Sequence, residues 1–141
     1  MRPLSHAPTR DFTARAASGP PRLILRAEGA ALLVLATAGF ALTGISWWLY
    51  ALLFFAPDLA MAAYAAGPRL GALAYNTAHT SVLPALLAGV GAIAETPLAL
   101  AVAAVWAAHI GFDRMLGYGL KYDTGFHDTH LGRIGRAKAA A

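Results

Sequence analysis

Four ionisable side chains stand where charge is otherwise missing: Asp58, His79, His109 and Asp113. Two imidazoles and two carboxylates make a ligand set suited to Zn²⁺ or a similar divalent ion, with room for a water. Such an ion lowers the pKa of its water and polarises a carbonyl or phosphoryl oxygen. His109 and Asp113 are spaced i, i+4, so they share one helix face. Tyr75, Asn76 and His79 share a face in the same way. Tyr75 and Asn76 are therefore candidates for holding the bound group through outer hydrogen bonds. Arg114, next to Asp113, is a candidate for a bidentate contact to an anionic headgroup. Asp58, His79, His109, Asp113 and Arg114 form the candidate catalytic set. The competing reading gives them only packing work, with an Asp of one helix bonding a His of another.

The elements that must position these residues are apolar. Of the 141 residues, 58% are hydrophobic and 13% charged, about half the charged share of a soluble domain. That excess excludes an ordinary water-soluble enzyme and a disordered chain. The absence of cysteine excludes disulfides, thiolate metal sites and cysteine nucleophiles. Twenty-nine uncharged residues separate Glu28 from Asp58 and twenty-five separate Arg69 from Glu95. Seventeen separate Glu95 from Asp113. A helical span needs about twenty apolar residues. The pattern predicts helices over about 27–42, 45–66, 70–92 and 97–118, with a tight turn at Leu42-Thr43-Gly44-Ile45-Ser46. Thr96 and Pro97 suit a helix start, and Gly117 and Gly119 a helix end. The expected fold is all-α: a polytopic membrane protein with four transmembrane helices in a compact bundle.

Charge at the ends sets the expected orientation. Residues 1–22 read as a flexible basic arm and carry Arg2, Arg10, Arg15 and Arg22 against Asp11; Arg26 follows. A cleaved signal peptide is the weaker reading, because the basic lead is long and no clear cleavage site follows. Residues 23–122 form the expected transmembrane domain and 123–141 a polar, basic tail. Lys121, Arg133, Arg136 and Lys138 place that end in the cytoplasm with the arm. The localisation expected is the inner membrane, multi-pass, with both termini cytoplasmic. Trp47, Trp48 and Tyr50 then mark the outer interface, and Tyr64, Tyr118 and Tyr122 the inner one. No basic or aromatic reader module points to nucleic acid. The tail cluster Asp123, His127, Asp128 and His130 reads as a solvated polar segment ahead of a second metal site or a cover over the bundle's inner mouth.

Depth ties the candidates together. Asp58 lies nine residues before Gly67, His79 nine after Leu70, and His109 nine before Tyr118. At 1.5 Å per helical residue each is about 13 Å in from the inner helix ends. Ionisable groups at such a depth are functional candidates by default. Pro57 and Pro84 lie inside expected helices and predict kinks beside this layer.

Several stretches carry a family resemblance. They are Arg26-Ala27-Glu28-Gly29, Pro57-Asp58-Leu59, Tyr75-Asn76-Thr77-Ala78-His79, the block from His109 to Tyr122, and Thr129-His130-Leu131-Gly132. Over about residues 22–135 they resemble a small bacterial integral membrane family, domain of unknown function 4260. That resemblance implies a membrane protein and no activity. Pro57-Asp58, His79 and the His109-x-x-x-Asp113 spacing are also similar, more weakly, to bacterial inner-membrane metal-dependent hydrolases of the LexA-regulated type. This second resemblance implies metal positions at Asp58, His79, His109 and Asp113.

The leading expectation is a metal-dependent hydrolase acting on a lipid or membrane-soluble substrate from the cytoplasmic side of the bilayer. The alternatives are a small proton-coupled transporter or carrier, for which a homo-oligomer would supply the missing repeat, and a non-enzymatic structural membrane protein.

Overall fold

The computed structural model describes residues 16–135; Arg2, Arg10, Asp11, Arg15, Arg136 and Lys138 of the basic ends lie outside them. Helix α1 runs from Gly19 to Leu42, with Pro20 and Pro21 in its first turn. Proline suits that turn because its missing N–H would find no helical partner there. The helix thus begins well before the expected residue 27, and takes in part of the region expected to be a flexible arm. Its charged first turns are packed: Arg26 Nε donates to the Met115 carbonyl at 2.8 Å. The turn at Thr43–Ser46 falls where expected, with Gly44 at φ +68°.

The second expected helix has two parts. Helix α2 covers Trp47–Leu53, and a 3₁₀ segment covers Ala56–Ala66. Pro57 accounts for the change, since it removes a helical donor and its ring crowds the carbonyl of Leu53. Tightening to three residues per turn aligns Asp58, Met61 and Tyr64 in one row. Gly67, at φ +113°, reverses the chain into α3, Pro68–His79.

The third expected helix is also divided. Helix α3 ends at His79, Thr80 is extended, and α4 covers Val82–Ile93. Pro84 lacks the N–H that would bond the Thr80 carbonyl, so the break sits one turn before the proline. Trp106 Nε1 donates to the Ala78 carbonyl at 2.6 Å and satisfies part of the opened turn. Helix α5, Pro97–Leu116, starts after Thr96 and ends at Gly117 with φ +94°, both as expected.

Small residues let the helices meet. A Cβ on Gly111 would fall 2.7 Å from the Gly29 carbonyl oxygen, and one on Gly29 2.7 Å from the Met115 nitrogen. The α1 and α5 backbones therefore touch, as small residues permit. Helix α5 also packs on α4, and α3 on the 3₁₀ segment. Large apolar side chains face outward: Leu35, Leu52, Leu59 and Ile93 are all well exposed. Polar groups face inward, the inverse of a water-soluble protein.

The stretches Gly19–Leu42, Trp47–Ala66 and Pro97–Leu116 are long and apolar enough to cross a membrane. The chain after α5 folds back instead of standing in solvent. Strands β1 (Asp128–Thr129) and β2 (Gly132–Arg133) form a short antiparallel hairpin, and Lys121 bridges Thr129. Leu131 and Thr129 are fully buried. Of the tail cluster, Asp123 and His127 are exposed, as a solvated segment would have them, whereas Asp128 and His130 are partly buried. These two are held locally: His130 Nδ1 accepts the Leu120 N–H at 2.8 Å, and Asp128 pairs with Arg133.

Candidate metal centre

The four candidate ligands come from three elements. Asp58 sits in the first turn of the 3₁₀ segment, behind Pro57. His79 is the last residue of α3, where the helix opens. His109 and Asp113 stand one turn apart on α5. The four converge, with one ligand atom from each lying within 4.8 Å of all the others.

The separations have a simple reading. His79 Nε2 is 3.1 Å from His109 Nε2, 3.4 Å from Asp58 Oδ1 and 3.5 Å from Asp113 Oδ2. His109 Nε2 is 3.5 Å from Asp58 Oδ1 and 3.9 Å from Asp113 Oδ2. A tetrahedral ion with bonds of about 2.0–2.2 Å places its ligand atoms about 3.3–3.6 Å apart. The observed atoms thus stand close to the corners of such a site. Among the described residues this is the group of histidines and acids able to hold a metal ion.

Outer contacts aim the donors. His79 Nδ1 lies 2.9 Å from the Tyr75 carbonyl, which only accepts, so the proton sits on Nδ1 and the Nε2 lone pair points into the cluster. Tyr75 stacks on the His79 ring with centroids 3.7 Å apart. Its hydroxyl donates to Asp113 Oδ2 at 2.8 Å. Phe54 presses edge-on against the His109 ring. His109 Nδ1 is buried without a hydrogen-bond partner. Among the described residues the partner of that ring is the His79 Nε2 lone pair at 3.1 Å, which takes a proton carried on His109 Nε2 when no ion stands between them.

Charge decides what the cluster needs. With neutral imidazoles it carries two negative charges in an apolar surround, a costly state. Protonating both rings would neutralise it, but two Nε2–H groups cannot face each other across 3.1 Å. One divalent cation balances two carboxylates, and the donor set suits zinc or a similar ion.

The other expected site residues divide. Tyr75 belongs to the cluster. Asn76 does not touch it: its amide donates to the Lys121 carbonyl at 2.8 Å and accepts the Lys121 N–H at 2.7 Å. It anchors the chain that closes the site. Arg114 turns toward α1, where its Cβ lies against Gly29 and Glu28 is the acid that acts on it.

Two residues enter that the sequence did not point to. Trp106, one turn before His109, fastens the opened end of α3. An amphipathic ring so far inside a span, away from either interface, was its available signal. Lys121 was read only as a topological charge. It is 5% exposed, its ammonium lies over the Tyr75 ring at 4.5 Å and the Phe126 ring at 3.9 Å, and it donates to the Phe126 carbonyl at 3.0 Å. Burial lowers its pKa below the ordinary lysine value, while the Asp113 and Asp58 carboxylates act in the opposite sense.

A cavity of about 260 Å³ opens onto Asp58 and Asp113, with Tyr75, Tyr118, Lys121 and Phe126 in its walls. A second, apolar cavity of about 300 Å³ is lined by Leu53, Pro57, Ala60, Ala78, Val102 and Trp106. Pro57 and Ala78 are the chain neighbours of Asp58 and His79, so the two cavities flank the cluster.

No curated protein and no solved structure matches the chain, and the likeness to the LexA-regulated hydrolases rests on the residue pattern alone. The comparison that does match covers residues 22–134, taking in all four candidate ligands, Tyr75, Asn76, Lys121 and the hairpin, and by it the chain belongs to the family described as domain of unknown function (DUF4260).

Proposed function

We propose that the chain is a membrane-embedded, metal-dependent hydrolase acting on a membrane-associated substrate from the cytoplasmic side. The helices α3 and α4 together make the fourth crossing, which returns both termini to the cytoplasm. The observation that carries the reading is the convergence of four donor atoms within 4.8 Å, with each histidine Nε2 3.1–3.9 Å from the other and from both carboxylates.

His79, His109 and Asp113 are the fixed ligands, since their side chains are 12% exposed or less. The Asp58 side chain is 29% exposed and faces the polar cavity. It would hold the ion from the cavity side, where water can reach it. A bound divalent ion supplies Lewis acidity and a water of lowered pKa. Asp58 is placed to accept a proton from a water attacking from the cavity side. The same proton then passes to the leaving oxygen of the substrate, so the net change is addition of water across one bond. Tyr75 keeps Asp113 oriented, and the aromatic walls limit entry of bulk water.

The test uses protein in lipid nanodiscs. Wild type is expected to hold one divalent ion per chain by elemental analysis, and to release a soluble product from a bacterial lipid extract, measured by mass spectrometry. Chelation should stop that release. His109→Ala should lose metal and turnover together, whereas Asp58→Asn should keep the metal and lose turnover. A wild-type chain that takes up no Zn²⁺, Mn²⁺ or Co²⁺ at micromolar concentrations overturns the reading.

A further inference from the structure

Lys121 is a buried cation with spare donors. The ammonium has three N–H groups, and the Phe126 carbonyl takes one. Among the described residues it forms no ion pair. Two aromatic faces steady it, and a buried ammonium held that way still favours an anion. It shares the walls of the 260 Å³ cavity with Asp58 and Asp113.

The charge count becomes specific once the cluster is filled. A divalent ion, two carboxylates and two neutral imidazoles sum to zero. Lys121 then carries an unbalanced positive charge at the edge of the same cavity. A group entering from that side is completed by at least one negative charge of its own. A group that is at once the anion and the electrophile meets the Lys121 ammonium and the hydrolytic centre together in a cavity of this size. A carboxylate offers no bond to hydrolyse, whereas a phosphate ester is polarised by the metal and remains anionic.

We infer that the polar cavity receives a phosphate ester, with its phosphoryl oxygens shared between the metal and the Lys121 ammonium. This rests on the metal-dependent reading above and names its substrate class. In the reaction the ester P–O bond breaks, the oxygen of water joins phosphorus, and a proton of that water leaves on the alcohol, which keeps its C–O bond. The apolar cavity on the other side of the cluster, beside Trp106 and Pro57, provides room for an acyl chain.

The experiment reads phosphate binding rather than turnover. Co²⁺-loaded protein in phosphatidylcholine nanodiscs is titrated with inorganic phosphate while its visible spectrum is followed. A second set of nanodiscs carries phosphatidic acid in place of part of the phosphatidylcholine. Phosphate in either form should shift the cobalt bands of wild type. Lys121→Met, which keeps the apolar stem, should retain one Co²⁺ per chain and weaken phosphate binding tenfold or more. Lys121→Arg should retain most of it. A response only in the phosphatidic acid nanodiscs identifies a lipid headgroup; a response to soluble phosphate identifies a site open to free phosphate. Normal Co²⁺ loading with no phosphate shift, or with affinity unchanged in Lys121→Met, overturns this inference alone. A wild-type protein that holds no Co²⁺ overturns it together with the metal reading.

Discussion

The Nε2 atoms of His79 and His109 lie 3.1 Å apart, so at most one proton fits between them. Without a cation the two carboxylates can be neutralised only by taking up protons or by the neighbouring Lys121 ammonium, and the four donors lose the ion that would hold them together. Metal removal should destabilise the fold as well as stop chemistry. At a hundredfold excess over Kd, a bound ion contributes about 2.7 kcal/mol, enough to move the thermal midpoint by about 5 °C or more. Chelation should lower the midpoint of the wild type in detergent by that amount. The Asp58→Asn/Asp113→Asn double variant should show no such dependence. An unchanged wild-type midpoint would count against metal in the native protein.

Tyr75 acts on the centre through two contacts, a stacked ring on His79 and a hydroxyl bonded to Asp113. Tyr75→Phe keeps the first and deletes the second. Asp113 then loses the donor that fixes its free rotation. Losses of such outer partners typically weaken metal affinity about 10- to 100-fold. Competition with a chelator of known affinity should show a drop in that range, with the circular dichroism of the helices preserved.

The contact between Gly29 and Gly111 leaves no room for a methyl group. A Cβ on Gly111 would reach the Leu33 backbone as well as the Gly29 carbonyl. Gly111→Ala should force α1 and α5 apart and cost about 1–3 kcal/mol. Gly39 and Gly89 have nothing within 4 Å of a built Cβ. Gly39→Ala and Gly89→Ala should therefore leave thermal unfolding in detergent unchanged or slightly raised. Equal effects at all these sites would remove the special role of the crossing.

Local signals were legible in the sequence, and long-range ones were not. Thr43-Gly44, Thr96-Pro97 and Gly117 mark helix ends that the structure keeps, because caps and left-handed turns depend on nearby residues. The common depth of Asp58, His79 and His109 followed from counting along helices. Their convergence to 3–4 Å needed the 3₁₀ tightening after Pro57 and the break at Thr80, which Pro57 and Pro84 only announced as kinks. Arg114 shows the limit of adjacency: one step along a helix turns a side chain by about 100°, away from Asp113 and toward α1. Lys121 is buried and His130 partly buried by a tail whose polar composition reads as solvated. Their burial comes from hydrogen bonds to α3 and within the tail, and no periodicity encodes those.

His130 gives the tail a pH dependence. Burial is the main cause that lowers its pKa from 6.5, and the Arg114 cation adds to it. The Leu120 N–H bonded to Nδ1 also requires a free lone pair there. A folded pKa below the unfolded one means that the unfolded chain binds more protons between the two values. The stabilisation is then full above about pH 6.5 and is lost as pH falls toward the folded value. Hydrogen exchange at the Leu120 amide should accelerate over that acid range. His130→Asn, which offers a non-titrating acceptor at the same place, should flatten the profile. A wild-type profile with no acid inflection would contradict the assignment.

Asn76 joins the bundle to its cover. Its side chain pairs with both the N–H and the carbonyl of Lys121, at 2.7 and 2.8 Å. Asn76→Ala leaves these two backbone groups without partners at a position where Lys121 is 5% exposed. An unsatisfied buried group costs about 1–3 kcal/mol, comparable with the whole stability of a small hairpin. The tail should loosen while α1 and α5, which do not depend on this contact, stay packed. Limited proteolysis should then cut between Gly117 and Asp128 at least tenfold faster than in the wild type, with the helical signal unchanged. Asn76→Asp, which keeps the acceptor and loses the donor, should fall between the two. Equal cleavage rates in all three proteins would show that the cover is held by the hairpin's own contacts and not by α3.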